Sequence, residues 1–168
     1  QLSRDGKLVV AHDETIDRVS NGTGYIKDYT LAQLKKLSFN RLFPDFKDAR
    51  IPTLKEVYEL LKPAGLTVNV ELKTGIILYP EIEEKVLALT ASMGMEYRVI
   101  YSSFCHPSLV RLKELDSGLK TGLLYSDGWI DAAAYGRHTV GADALHPALY
   151  HMQDPQLIPA ARRQGLAV

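Results

Sequence analysis

The residues best suited to chemistry in this chain stand at the ends of short apolar runs. Leu8-Val9-Val10-Ala11 leads into His12 and Asp13, and an imidazole can take or give a proton near neutral pH. A second run ends in Glu71, Leu72 and Lys73, which places a carboxylate and an ammonium two residues apart and so on one side of a strand. Later runs end in Ser102 and Ser103, in Ser126 and Asp127, and in His146. Proton transfer by His12, with Glu71 as a hard-metal ligand and Lys73 neutralising an anion, is the chemistry these residue types permit. Taken one at a time they have plainer readings: His12 and His146 as neutral histidines packed at strand ends, and Glu71 with Lys73 as a salt bridge. His106, His138 and His151 fall in loop or helix contexts and read as solvated, and no base is placed for Cys105 by spacing.

The elements that must position these groups follow from periodicity and punctuation. Asp5-Gly6 predicts a two-residue hairpin turn that pairs Arg4 with Lys7, Ser3 with Leu8, Leu2 with Val9 and Gln1 with Val10. In that register His12 faces a position just before Gln1. A polar loop follows over 13–28, with Asn21-Gly22-Thr23-Gly24 as a structural turn; it lacks the lysine and helix of a phosphate-binding loop. Thr30 with Gln33, and Thr53 with Glu56, predict capped helix starts, the first with a Leu31, Leu34, Leu37 stripe and the second burying Leu54, Val57, Leu60 and Leu61. Between them, the loop 38–52 carries Phe39, Leu42, Phe43 and Phe46 and is expected to fold down as a small insertion.

From there strand-like runs at 66–72, 98–103, 121–125, 142–146 and 166–168 alternate with helical segments at 80–93, 107–115, 129–138 and 155–163. That alternation predicts parallel βα units, compatible with a doubly wound sheet or a barrel. The polarity of 67–73 favours the barrel. Val68, Val70 and Leu72 share one side, while Thr67, Asn69, Glu71 and Lys73 share the other, whereas a sheet covered by helices on both faces would be apolar on both. The expected fold class is therefore α/β, a (β/α)8 TIM-type barrel with a small insertion, in one domain over 1–168, incomplete at both ends.

Twenty basic residues balance twenty acidic ones, which argues against a nucleic-acid partner, and no apolar run is long enough for a membrane helix. One cysteine excludes an internal disulfide framework and fits a reducing compartment, so a cytoplasmic location is expected.

Taken together, the stretch from Leu2 to Asp13, Asp17-Arg18, Asn21-Gly22-Thr23-Gly24, Ile51-Pro52-Thr53-Leu54, Val70-Glu71-Leu72-Lys73 and Ser102-Ser103-Phe104 resembles the glycerophosphodiester phosphodiesterases over essentially the whole chain. The resemblance implies a (β/α)8 barrel that hydrolyses glycerophosphodiesters to glycerol 3-phosphate and an alcohol with a divalent cation, Ca2+ or Mg2+. It implies that His12 is the second of two catalytic histidines, Glu71 a metal-binding glutamate and Lys73 a substrate-phosphate contact, with Phe104 and His146 lining the substrate pocket. The family's His-Arg-Gly sequence and Glu-x-Asp metal pair would precede Gln1, and the hairpin register puts His12 opposite that aspartate. A polypeptide with these ends is expected to be inactive. Two other readings remain, a non-catalytic glycerophosphodiester-binding domain and a phospholipid-headgroup lyase that yields a cyclic phosphate. Tyr25, Tyr79, Tyr125 and Trp129 are candidates for a headgroup pocket and equally for packing.

Overall fold

The structure is a computed structural model that describes residues 1–168. It divides into two units, one formed by Gln1–Leu66 with Ile76–Met95 and the other by Thr67–Gly75 with Glu96–Val168.

The first unit begins with the hairpin, in a register one residue away from the expected one. Ser3 N donates to Lys7 O, Gly6 N to Ser3 O and Val9 N to Gln1 O, so Leu2 pairs with Leu8. The loop therefore has three residues, a tight turn closed by Gly6 at φ 72°, a left-handed conformation that glycine adopts without cost. The one-residue slip changes which residues stand opposite each other, Leu2 facing Leu8 and not Val9. Leu8–Val10 has a second partner that the sequence did not suggest: Val10 N donates to Pro52 O and Leu54 N to Leu8 O, with Val9 bridged to Thr53.

Both predicted caps form. Thr30 and Gln33 close a capping box at α1 (Leu31–Leu34), and Thr53 and Glu56 do the same at α2 (Leu54–Leu61). The Leu31, Leu34, Leu37 stripe packs on Val9, Ile16, Ile26 and Ile51, which are buried together. In α2 the buried residues are Leu54 and Tyr58, one turn apart, while Leu60 is 76 % exposed. Six residues from Leu54 is about 120° off its line around the helix, so Leu60 could not share its face. The loop 38–52 also departs from expectation. Phe39 packs on the cluster, but Leu42, Phe43 and Phe46 are exposed, because the loop bonds to itself through Phe43 N to Asn40 O and Phe46 N to Phe43 O. The unit ends with α3 (Ile82–Ser92).

The second unit is a parallel sheet flanked by helices. Its strands β1 (Val68–Glu71), β2 (Val99–Ser103), β3 (Lys120–Tyr125) and β4 (Ala144–Pro147) lie in sequence order, each hydrogen-bonded to the next, and Ala167 adds in parallel beside Ala144. A doubly wound sheet would reverse direction at a switch point; among these strands the order never reverses. Helix α4 (His106–Leu115) packs on β2 and β3. The predicted helix at 129–138 starts later, because the Asp131 side chain caps at Ala134 N. It runs as α5 (Ala132–Ala134) into a π-helical turn (Tyr135–Val140), and α6 (Leu157–Arg163) follows β4.

The two faces of the sheet differ in chemistry. Leu72, Leu123 and Leu145 are buried on the helix side, where Thr74 bonds Ser108 of α4 at 2.7 Å and Gly136 of the π turn lies against Leu145 and Leu123. The opposite face carries Glu71, Ser102, Gly122 and Ala144 in one hydrogen-bonded row across all four strands. No helix is long and apolar enough to cross a membrane.

Candidate active site

His12 belongs to the first unit and lies just past the short run that pairs on both sides. Its Nδ1 is 2.7 Å from Asp13 Oδ1, and Arg18 holds the same carboxylate from both oxygens, Nε to Oδ2 at 2.7 Å and a terminal nitrogen to Oδ1 at 2.9 Å. The Arg18 hydrogen bonds, and then that from His12, hold Asp13 well below the usual carboxylate range. An ionised carboxylate can only accept. The proton between the two residues therefore sits on Nδ1, and Nε2 is left free on a side chain 77 % exposed. This is the arrangement in which a carboxylate sets the tautomer of a proton-transfer imidazole.

The loop that carries His12 has no ladder of its own, and a buried amide holds it instead. Gln1 Nε2 donates to Ala11 O at 3.1 Å and to Asp13 O at 2.7 Å, the carbonyls on either side of His12. Tyr79 Oη donates to Gln1 Oε1 at 3.2 Å. Burial, with the nearby charges of Glu14 and Asp28, pushes the Tyr79 phenol up to about 12.

Glu71, Lys73, Phe104 and His146 all belong to the second unit, and Glu71, Lys73 and His146 to the face away from the helices. Glu71 is in register with Ser102, and Leu124 with His146; Lys73 shares the side of Glu71, which it contacts, and Phe104 follows β2 in a bend. Lys73 Nζ stands 2.7 Å from Glu71 Oε1 in an ion pair. Ser102 Oγ, on the neighbouring strand in the same row, is a buried oxygen without a hydrogen-bond partner, and the Lys73 ammonium is the one partner of Glu71 Oε1. Such orphans are rare and call for an explanation. A carboxylate oxygen suits a hard cation as one ligand. No three His, Cys, Asp or Glu side chains are grouped to hold a metal ion, so Glu71 is one donor and not a complete site.

Phe104 is exposed, while His146 is half-buried and lines a cleft of about 590 Å³ with Pro147, Leu149, Met152 and Arg162. The His146 ring fills the space over Gly122, where a Cβ would come within 2.3 Å of it; glycine is required there for the ring to lie flat on the sheet. Burial holds the His146 imidazole below its ordinary pKa. The unfolded chain then binds the proton more tightly than the folded one, so stability is complete above about pH 6.5 and falls as pH drops toward the depressed folded value. Melting temperatures measured from about pH 7.5 down to pH 5 should decline, and His146→Gln should flatten that part of the curve.

His106 is corrected by the structure. It is buried, with Nε2 donating to Leu124 O at 2.9 Å, Nδ1 3.1 Å from Tyr135 Oη, and its ring beside Trp129 and Tyr135. His151 is half-buried against Tyr125 and bonds Ser126 O, and only His138 is fully solvated in contact with Gln164. Ser102, at a predicted strand end, and Tyr79, among the aromatic candidates, are legible in the sequence, whereas Gln1 and Gly122 are not, because a glutamine in a short strand and a glycine in a longer one advertise no partner.

A parallel α/β sheet with Glu71, Lys73 and His146 toward the C-terminal ends of its strands, in a chain that also carries a carboxylate-oriented histidine, defines an enzyme-type scaffold. The model of the glycerophosphoryl diester phosphodiesterase family matches residues 1–168. A glycerophosphodiester phosphodiesterase of Caldanaerobacter subterraneus subsp. tengcongensis is 43 % identical over 167 residues, covering 99 % of this chain and 68 % of its own length. One from Bacillus altitudinis is 38 % identical over 149 residues, covering 88 % of this chain and 60 % of its own. Among solved structures, an Oleispira antarctica phosphodiesterase in complex with the product sn-glycerol-3-phosphate aligns with a TM-score of 0.81 at 26 % identity, over 98 % of this chain and 67 % of that one. The chain belongs to the glycerophosphoryl diester phosphodiesterase family and so to a family of enzymes.

Proposed function

We propose that this domain hydrolyses glycerophosphodiesters to glycerol 3-phosphate and an alcohol, and that its parallel sheet is part of the wall of a (β/α)8 barrel. The observation that carries the reading is the His12 imidazole, oriented by Asp13 and Arg18 with Nε2 free, in a chain matched from end to end by the family model. His12 protonates the leaving alkoxide from Nε2, and Asp13 stabilises the imidazolium that precedes the transfer. Lys73 meets the anionic phosphoryl group, while the exposed Phe104 ring and the half-buried His146 shape the pocket. Glu71 supplies one oxygen ligand to a Ca2+ or Mg2+ ion, which when bound neutralises charge on the phosphoryl oxygens.

The test is turnover of glycerophosphocholine followed by phosphorus NMR. Glycerol 3-phosphate should appear, chelation with EDTA should stop it, and added Ca2+ or Mg2+ should restore it. A persistent cyclic phosphate would replace hydrolysis by a lyase reaction, and binding without turnover would reduce the domain to a receptor for the same ligand.

A further inference from the structure

We propose that Gln1 and Tyr79 are positioning residues for His12, acting as a relay in which the Tyr79 hydroxyl orients the Gln1 amide and that amide clamps the backbone on both sides of the imidazole. The proposal rests on the role given to His12 above.

Three observations carry it. The first is direction. The carbonyls of Ala11 and Asp13 can only accept, so the NH2 of Gln1 must face them; its oxygen must then face Tyr79, whose hydroxyl must donate. The relay has one allowed sense. Tyr79 keeps its proton through the neutral range, its phenol being pushed up to about 12, so the sense does not change with pH there. The second is placement. The two acceptors are residues 11 and 13, and the residue between them is the histidine; a glutamine that served only to fill a strand would have no reason to straddle it. The third is burial. Gln1 is 7 % exposed and so is Tyr79, whereas the His12 side chain they hold is 77 % exposed. A rigid, dry anchor thus supports a solvent-facing group on a segment that has no strand or helix hydrogen bonds to fix it. Loop residues that do chemistry need such support, because a misplacement of about 1 Å can cost about 100-fold in rate.

The relay links residues 78 apart, which explains why neither was visible as a pair in the sequence. It also differs from the Asp13 contact. Asp13 sets which nitrogen carries the proton, while Gln1 sets where the ring stands and so whether Asp13 can reach it.

The experiment uses the full-length enzyme with glycerophosphocholine as substrate and compares Tyr79→Phe, Gln1→Met, His12→Ala and Tyr58→Phe. Tyr58 is the matched control. It too is a buried tyrosine of the same unit, bonded at 3.0 Å to Thr90, and it plays no part in the site. Expected results are a kcat lowered about tenfold by Tyr79→Phe and about 100-fold by Gln1→Met, with KM unchanged in both and kcat unchanged in Tyr58→Phe. Long-range proton–nitrogen NMR of His12 should show the Nδ1-protonated tautomer in the parent and Tyr58→Phe proteins, and a tautomer mixture in the other two. A merely structural role would lower the melting temperature of Tyr79→Phe, Gln1→Met and Tyr58→Phe alike and leave the tautomer as it is, and that result overturns the proposal. If Gln1→Met does not fold, Tyr79→Phe is judged by the same two readouts. Should His12→Ala retain parental activity, the catalytic role of His12 falls; the tautomer spectrum then still reports separately whether Gln1 and Tyr79 hold the ring.

Discussion

Replacing His12 by alanine is expected to lower kcat on glycerophosphocholine by at least about 100-fold, the lower end of what positioned proton transfer contributes. The substitution removes the imidazole and leaves what surrounds it. Asp13 keeps both contacts to Arg18, so its carboxylate stays paired, and Gln1 bonds backbone carbonyls that alanine retains. His12 is exposed and buries no apolar surface, so the melting temperature should stay within about 1 °C of the parent, as for most surface substitutions. The loss should fall on kcat, with KM little changed, because an acid needed only as the leaving alkoxide forms does its work in the transition state. Stopped chemistry in a folded protein is the signature; parental turnover in the His12→Ala enzyme would remove the residue from the mechanism.

The second large effect concerns Glu71, for which a salt bridge and a metal ligand remain as alternative roles. Glu71→Gln keeps the shape and removes the charge. If the carboxylate only pairs with Lys73, the variant loses an ion pair whose partner is 16 % exposed, the melting temperature falls, and the concentration of Mg2+ or Ca2+ needed for half-maximal activity stays where it was. If Glu71 is a ligand, that concentration rises. Changes to groups that merely support metal ligands already weaken binding about 10- to 100-fold, so tenfold is the least expected for a direct donor. We expect the second outcome, because Glu71 stands at the end of its strand in register with Ser102, whose buried Oγ has no hydrogen-bond partner. Calorimetric titration of the cation alone, without substrate, separates the two roles independently of activity.

The parts of this protein that were legible in its sequence are those encoded within a few residues. Thr30 with Gln33 and Thr53 with Glu56 mark helix starts through bonds that span three residues. The two-residue period of Val68 to Lys73 sorted the apolar side from the charged one, and the strand order agreed with the alternation of strands and helices. The motifs between Leu2 and Phe104, taken together, identify the family.

Long-range contacts decided the rest. Asp5-Gly6 was read as a two-residue turn, but the left-handed Gly6 closes a three-residue loop, a choice settled by how the hairpin pairs with Pro52–Leu54 and with α1 through Asp5. Leu60, expected on the buried face of α2, and Phe46, in the loop expected to fold down, are both exposed. His106 was read as solvated, yet it closes a bond to Leu124 O eighteen residues on. What the sequence determined by itself was the family, the order of elements and the face that carries Glu71 and Lys73, since periodicity and capping act locally. Only the tertiary structure decided the hairpin register, the Gln1–Tyr79 support of His12 and the seat of His146 over Gly122, since each needs residues distant in the chain to meet.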